Sequence, residues 1–426
     1  MLMRRWLWWA GSYGLPRAVV LRQARRGDAL ARFVLESEKG SETDTFIEEM
    51  RQAGPLVRGR RLSVTVDHGL ATAILRDRRF SAMVPPREAR PRPLQWMLDR
   101  TDPGLPDPIA PPSMLRVDPP AHTRYRGLVT KPFNHRAVEK LRERVVTETD
   151  RVLAELDWAT APDLMADFSV RLPVAVIGAV LGVPEEGHPR LARWGVDAAP
   201  LLDLCPSWPA FRTALGSLAE GAAYFDEHIK ALRLVPEDNV FSDLVASGDL
   251  DDRELLTNAA LILGAGFETT ANMLGNGIVA LQNHPDQLEL VRADPTLWPS
   301  AVDEIMRFDS PVQVTARMAT CDVTLEGQDI DRGTVVLILL GGANHDPAVF
   351  SDPYRFDMTR PNVRNHLSFG SGIHTCVGAN LARMEGTIAL RALYERFSGI
   401  KLDVTPDRRP FVNMRGWKAL PATLIA

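Results

Sequence analysis

Between Asp251 and Asn283 the chain runs without a single proline and is apolar around much of its circumference. That is far longer than an average globular helix. An apolar surface on more than one side must be covered by several neighbours. The segment predicts a long helix through the middle of a large, mostly helical body.

The rest of the chain supplies the neighbours. Val138, Leu141, Val145, Val152 and Leu156 recur at three- and four-residue steps, predicting a helix with one buried face. Further helices are expected at 163–181, 209–234, 285–293, 297–308 and from Cys376 to Phe397. Residues 55–67 read as a strand pair, and 321–339 as strands around Gly327 and Gly333. From Ser81 to Pro120 there are eleven prolines, which predicts a long irregular binding loop. No linker, low-complexity tract or repeat divides the sequence. One domain over 1–426 is therefore expected, with residues 1–40 as an N-terminal extension.

That extension is basic and tryptophan-rich. Seven arginines and one acid, Asp28, lie between Arg4 and Arg32, behind Trp6, Trp8 and Trp9. The apolar run at its front is too short to span a bilayer. One reading is a solvated basic helix whose tryptophans pack on the body. The other is loose attachment to an anionic membrane surface, so membrane contact is peripheral at most. With 50 basic and 54 acidic residues the net charge is −4, which argues against a nucleic-acid binder. Three scattered cysteines, Cys205, Cys321 and Cys376, make no disulfide framework and point to a reducing cytoplasm.

Four motifs carry chemistry. In Phe369-Gly-Ser-Gly-Ile-His-Thr-Cys376-Val-Gly378, a glycine-rich loop enters a helix start. Backbone N–H groups there approach the sulfur and lower its pKa; Gly378 leaves room for a flat ligand. An isolated cysteine is more often an inert core residue. In Glu304-Ile-Met-Arg307 the two charges face each other on a helix, and such a pair is usually a weak surface contact. In Gly264-Ala-Gly-Phe-Glu268-Thr269-Thr270, Ala265 and Gly266 remove bulk, so that a flat cofactor and a diatomic ligand could approach. Thr269 can turn its hydroxyl to the Ala265 carbonyl, and Glu268 can relay protons. A small-residue helix crossing is the plainer reading of that turn. Finally His122, Arg126, Arg317 and His374 are cations suited to carboxylates, although each alone would be an ordinary solvated charge.

Taken together, these motifs resemble the cytochromes P450 from about residue 40 to the C-terminus. The cysteine loop matches the haem-ligand loop of that family at every fixed position. Asp309-Ser-Pro-Val-Gln313 and Ala343-Asn-His-Asp-Pro347 look most like soluble actinobacterial members. The resemblance implies a mainly α fold with small β-sheets and haem b (iron protoporphyrin IX) between the central helix and the cysteine loop. It implies Cys376 as the iron ligand, with Phe369, Gly370, Gly378, Ala265 and Gly266 against the haem. His122, Arg126, Arg317 and His374 would meet its propionates. Glu304, Arg307 and Arg360, the last from Pro353-Tyr-Arg-Phe356-Asp-Met-Thr-Arg360, would form a buried triad. Glu268, where aspartate is commoner in the family, and Thr269 would guide protons.

The implied activity is insertion of one oxygen atom from dioxygen into a hydrophobic molecule, by hydroxylation or epoxidation. A fatty acyl, methyl-branched or isoprenoid lipid is the first choice of substrate and a steroid or polyketide the second. Pocket walls are expected from the 81–117 and 185–215 regions and 411–414, with Trp96, Met114, Leu261, Ala265, Val312, Val314 and Val412. No flavin or nicotinamide fingerprint is present, so electrons are expected from a ferredoxin with its NAD(P)H-dependent reductase, docking near Arg124 and Arg383. A monomer is expected. Peroxide-driven and nitric-oxide-reducing relatives are disfavoured by the Glu268-Thr269 pair. So is the rival from another class, a haem-thiolate gas sensor or ligand-binding protein without turnover.

Overall fold

A computed structural model describes residues 2–59, 62–82, 91–130, 135–156, 162–204 and 206–425. Cys205 and part of the proline-rich segment, 83–90, lie outside the described residues.

The proline-free segment forms one continuous helix, Asp252–Asn283, hereafter the central helix. Asp251 caps it: its carboxylate accepts from the Glu254 N–H, and Glu254 accepts from the Asp251 N–H in return. That reciprocal pair satisfies two otherwise orphaned donors. From Leu255 to Leu281 the helix is buried on nearly every side. Its covers are the helices Arg171–Leu181, His188–Ala198, Trp208–Leu234, Trp298–Phe308 and Ala379–Arg396, with His135–Ala154 packed outside the first and last of these. Residues from all of these join its side chains in the largest apolar core, which reaches from Met114 to Ala422. The run Leu164–Leu181 is apolar enough to cross a membrane by composition, but 72% of it is buried inside the protein.

The strands form three small sheets. In the largest, β1 (Leu62–Thr65), β2 (Phe80–Ser81), β3 (Val314–Ala319) and β6 (Val335–Leu339) are ordered β1-β6-β3-β2. β1 runs parallel to β6 with Leu62 opposite Val335, and β3 runs antiparallel to β6 with Val314 opposite Leu339. β4 (Val323–Leu325) and β5 (Gln328–Ile330) form a hairpin, and β7 (Gly399–Leu402) pairs with β8 (Ala422–Ile425).

Three expectations need correction. The 81–120 segment is not wholly irregular, because Arg92–Thr101 is a helix with a proline in its first turn. Proline is tolerated there, where its missing N–H has no partner to lose. The helix after the cysteine begins at Ala379 rather than at Cys376, so the cysteine stays in the loop. The 55–67 strand pair reduces to β1 and a bridge between Val57 and Val64.

Candidate active site

The cysteine loop is held by backbone geometry. The Cys376 N–H donates to the Phe369 carbonyl at 2.8 Å, closing the loop on itself. Gly370 and Gly372 both have positive φ. A Cβ on Gly372 would also sit 2.3 Å from the Leu75 carbonyl oxygen, so only glycine fits. The thiol lies among protein groups on most sides, yet it remains exposed to solvent. Burial pushes its pKa up, while the Gly378 N–H hydrogen bond and the charges of Arg126 and Arg383 pull it down.

On the central helix, Ala265 is exposed in the middle of an otherwise buried segment, flanked by half-buried Gly264, Gly266 and Thr269. The Thr269 hydroxyl donates to the Ala265 carbonyl at 2.8 Å, and Thr270 donates to Gly266 at 3.1 Å. Leu261 lies one turn before Ala265 on the same face. Glu268 is fully buried and ion-paired with Arg409, from the C-terminal loop. Burial raises the Glu268 pKa, opposed by the charge and hydrogen bond of Arg409. No spacing rule links residues so far apart, and sequence reasoning missed Arg409.

The four expected cations converge only in part on one another. His122 and His374 pack together with ring centroids 4.1 Å apart and planes tilted by 50°. Burial, Arg317, His122 and Arg126 push the His374 pKa down to about 3, and its Nε2 is buried without a partner. Among the described residues, Arg317 donates to the Ala316 carbonyl and the Thr315 hydroxyl. Burial and Arg116 lower its pKa to about 10. Burial also depresses Arg126. Asp118, the acid that opposes the shifts of His122 and Arg317, is itself occupied by the Ser81 hydroxyl and the Ala82 N–H. This corner is short of negative charge.

Behind the cysteine loop, Glu304 and Arg307 are both 0% exposed and form a two-pronged pair at 2.7 and 2.8 Å. Arg307 also donates to the carbonyls of Asn344, Pro353 and Arg355. Arg360 lies 3.6 Å from Glu304 and donates to Ser351 and Arg355. Asn344 then ties the triad to the loop: its amide accepts from the Leu367 N–H and donates to the Ser368 hydroxyl. A second buried acid, Asp303, accepts from His366 and Arg383. Arg124, in turn, is paired with Glu254. The two arginines expected at a docking face are thus already engaged.

A small apolar cleft, partly open to solvent, lies between the helices His188–Ala198 and Trp208–Leu234 and the central helix. Trp194, Leu218 and Phe225 line it with Leu263 and Gly264, and Pro106 and Pro108 close one side. It meets the central helix at Leu256, Ala260, Leu263 and Gly264, a face centred about 155° round from Ala265. The 81–117 and 185–215 regions do contribute walls, but the individually expected residues are elsewhere. Trp96 is 60% exposed, turned outward under the Arg100 guanidinium. Val314 and Val412 pack with Phe33 and Val64 in a separate core, against which Val312 does not pack; it joins the cluster around Leu70 and Val336. Met114 and Leu261 are buried in the main core. Apolarity alone could not separate core from pocket.

The comparisons with known proteins agree with this arrangement. Residues 238–417 match the family model "Cytochrome P450". A Mycobacterium tuberculosis protein named as a cytochrome P450 140, whose name states no reaction, is 41% identical over 99% of this chain and 98% of its own. This chain belongs to the cytochromes P450. The 6-deoxyerythronolide B hydroxylase of Saccharopolyspora erythraea is 40% identical over 73% of this chain and 78% of its own. The crystal structure of P450BioI with a hexadec-9Z-enoic acid-ligated acyl carrier protein superposes with a TM-score of 0.80. It is 31% identical, covering 89% of this chain and 98% of that one.

The chain is therefore a P450 monooxygenase that uses a haem-thiolate cofactor, dioxygen, a hydrophobic substrate and redox partners. Its own residues fit that cofactor. Cys376 and Ala265 are both exposed, even a Cβ at Gly378 would come no closer than 4.0 Å to the sulfur, and the His374 Nε2 and Arg317 stand ready for carboxylates. Among the described residues, no group of three or more His, Cys, Asp or Glu side chains could hold a metal ion by itself.

Proposed function

We propose that the chain, as one unit over residues 1–426, hydroxylates or epoxidises a hydrophobic lipid at haem b bound by Cys376. The observation that carries this reading is the exposed Ala265 turn, with its Thr269 hydroxyl already bonded to the Ala265 carbonyl. When bound, the haem would supply dioxygen activation, favoured by electron donation from the thiolate. His122, Arg126, Arg317 and His374 would hold its carboxylates by charge-assisted bonds. Phe369, Gly370, Gly378, Ala265 and Gly266 would leave its faces clear.

Thr269 would orient a proton donor at the distal side, and Glu268 would resupply the proton. Glu268 must first leave Arg409, so the relay requires a side-chain movement. Asn272, one turn on, is buried and faces Glu268, whose charged form its side chain favours, and a buried amide of this kind commonly also holds an ordered water. Burial keeps the Glu268 pKa above the usual carboxylate range, which suits an acid that must both give and take a proton near neutral pH.

The apolar cleft supports a hydrophobic substrate. A structural relative in complex with a hexadec-9Z-enoic acid-ligated acyl carrier protein fits the first choice, a fatty acyl, methyl-branched or isoprenoid lipid, while the 6-deoxyerythronolide B hydroxylase fits the second, a steroid or polyketide. Electrons would come from a ferredoxin with its NAD(P)H-dependent reductase, to a monomer in the cytoplasm. Optical titration of the purified ferric protein with fatty acids, isoprenoids and sterols tests the reading. A saturable shift of the main haem band with the lipids alone is expected. A shift confined to sterols would replace the substrate class, and absence of haem would overturn the function.

A further inference from the structure

The N-terminal segment is not needed for the haem site, yet it is built with care. Leu2–Trp9 and Leu15–Ala24 are helical, joined by a π-turn at Ala10–Gly14. One side is anchored. Trp8 stacks on Phe211 at 5.5 Å, and Trp9 donates its indole N–H to the Pro206 carbonyl at 2.9 Å. Gly11 is buried, and a Cβ there would come within 3.0 Å of side-chain atoms of Leu94, Met97 and Leu98. The segment thus packs closely against the Arg92–Thr101 helix.

The other side is open and apolar. Leu2, Met3, Trp6, Leu15, Val19 and Leu21 are all exposed, and the neighbouring Trp96 adds its ring. Large apolar side chains gathered on an exposed face usually mark a contact surface. The charge around them is mostly positive. Arg5, Arg22, Arg25 and Arg26 have no ion-pair partner among the described residues, whereas Arg17 is bound to Glu38. Asp28 is used as a helix cap, and Asp102 accepts from the Gly104 N–H.

We propose that this face docks on an anionic phospholipid surface, with Trp6, Leu2 and Met3 entering the interface and the free arginines meeting lipid phosphates. Tryptophan and arginine are the side chains suited to that boundary. An acidic protein would complement the arginines, but it would leave the apolar residues exposed; a bilayer accommodates both. The location has a consequence for the cleft. Trp8 rests on the helix Trp208–Leu234, which lines the cleft through Ser217, Leu218 and Gly221, and Pro106 and Pro108 follow the helix that Gly11 packs on. Docking would hold the cleft near the layer in which an apolar substrate dissolves.

The test is co-sedimentation of the full-length, haem-loaded protein with phosphatidylcholine vesicles, alone or containing phosphatidylglycerol. Binding to the anionic vesicles only, weakening as salt rises, is expected. Each basic residue near such a surface contributes about fivefold, so Arg22→Gln/Arg25→Gln/Arg26→Gln should weaken binding on the order of a hundredfold. Trp6→Ser should weaken it severalfold. Both variants should keep the parent haem spectrum, which separates lost docking from lost folding. Equal sedimentation with and without phosphatidylglycerol would overturn the proposal. So would an unaffected triple variant, or binding to an acidic acyl carrier protein with none to vesicles.

Discussion

Two of the buried glutamate–arginine pairs among the described residues, Glu304–Arg307 behind the cysteine loop and Glu268–Arg409 at the central helix, are built for opposite purposes. Glu304 and Arg307 lie one helical turn apart and are 0% exposed, and Arg307 donates to three further carbonyls. Every strong donor is used, so neither group can move without orphaning another. Glu268 and Arg409 come from distant parts of the chain. Among the described residues, the Arg409 guanidinium meets Glu268 and the face of Phe411, the latter at 4.7 Å. A buried pair with several extra partners is a strut. A buried pair with one partner each can open. The energetic cost of burying charge is similar in the two places, and the number of remaining hydrogen bonds decides which pair is fixed.

The comparison is broken first at its rigid end. Arg307→Ala removes the two-pronged partner of Glu304 and leaves it only the more distant Arg360 at 3.6 Å, and is expected to cost about 3–5 kcal/mol. It should abolish haem incorporation, and a variant with normal haem content would remove the strut from the account. Glu268→Gln should keep its fold and its haem but lower turnover by about 10²–10⁴. The loss should be in kcat with ligand-induced spectral shifts unchanged, and unaltered turnover would show that protons arrive by another route.

Glu385 sharpens the contrast, because it is buried with no arginine and its Oε2 has no partner. Burial alone raises its pKa well above 4.5. The folded state therefore keeps a proton that the unfolded chain releases above pH 4.5. Its contribution to stability is greatest below that pH and is lost as pH rises, by up to about 1.4 kcal/mol per unit until the folded group ionises. Glu385→Gln lacks this slope, so the variant should gain on the parent in denaturation midpoint between about pH 5 and pH 8. Parallel pH profiles would place a partner beside Glu385. The smallest effect is expected for Arg409→Lys, which keeps the charge and loses the fork. Stability should change by less than about 1 kcal/mol, with a shifted pH dependence of turnover. A loss as large as that of Arg307→Ala would make this pair a second strut.

Much of this was legible in the sequence, for a physical reason in each case. The central helix announced itself because a long proline-free apolar run has no other stable form. Glu304–Arg307 and Thr269–Ala265 were readable because residues three and four apart on a helix meet by geometry. The cysteine loop was readable because its glycines answer to fixed backbone constraints, as the Gly372 contact with Leu75 shows. What remained hidden depended on distant chain segments meeting. Arg409 reaches Glu268 from a loop with no periodicity, and Asn344 links the triad to Ser368 through side-chain bonds that spacing does not record. Trp96 was assigned to the pocket because it is apolar in a proline-rich loop; the helix it belongs to turns it outward.

The central claim is that Cys376, held open by its glycine loop, is the ligand of a bound haem. The carbon monoxide complex of the reduced, purified protein tests it most directly, because its absorption distinguishes thiolate from imidazole ligation. The account predicts a thiolate spectrum for the parent, and its replacement by an imidazole-type spectrum in Cys376→His with haem retained. A parent spectrum of imidazole type, or an identical thiolate spectrum in the variant, would contradict it.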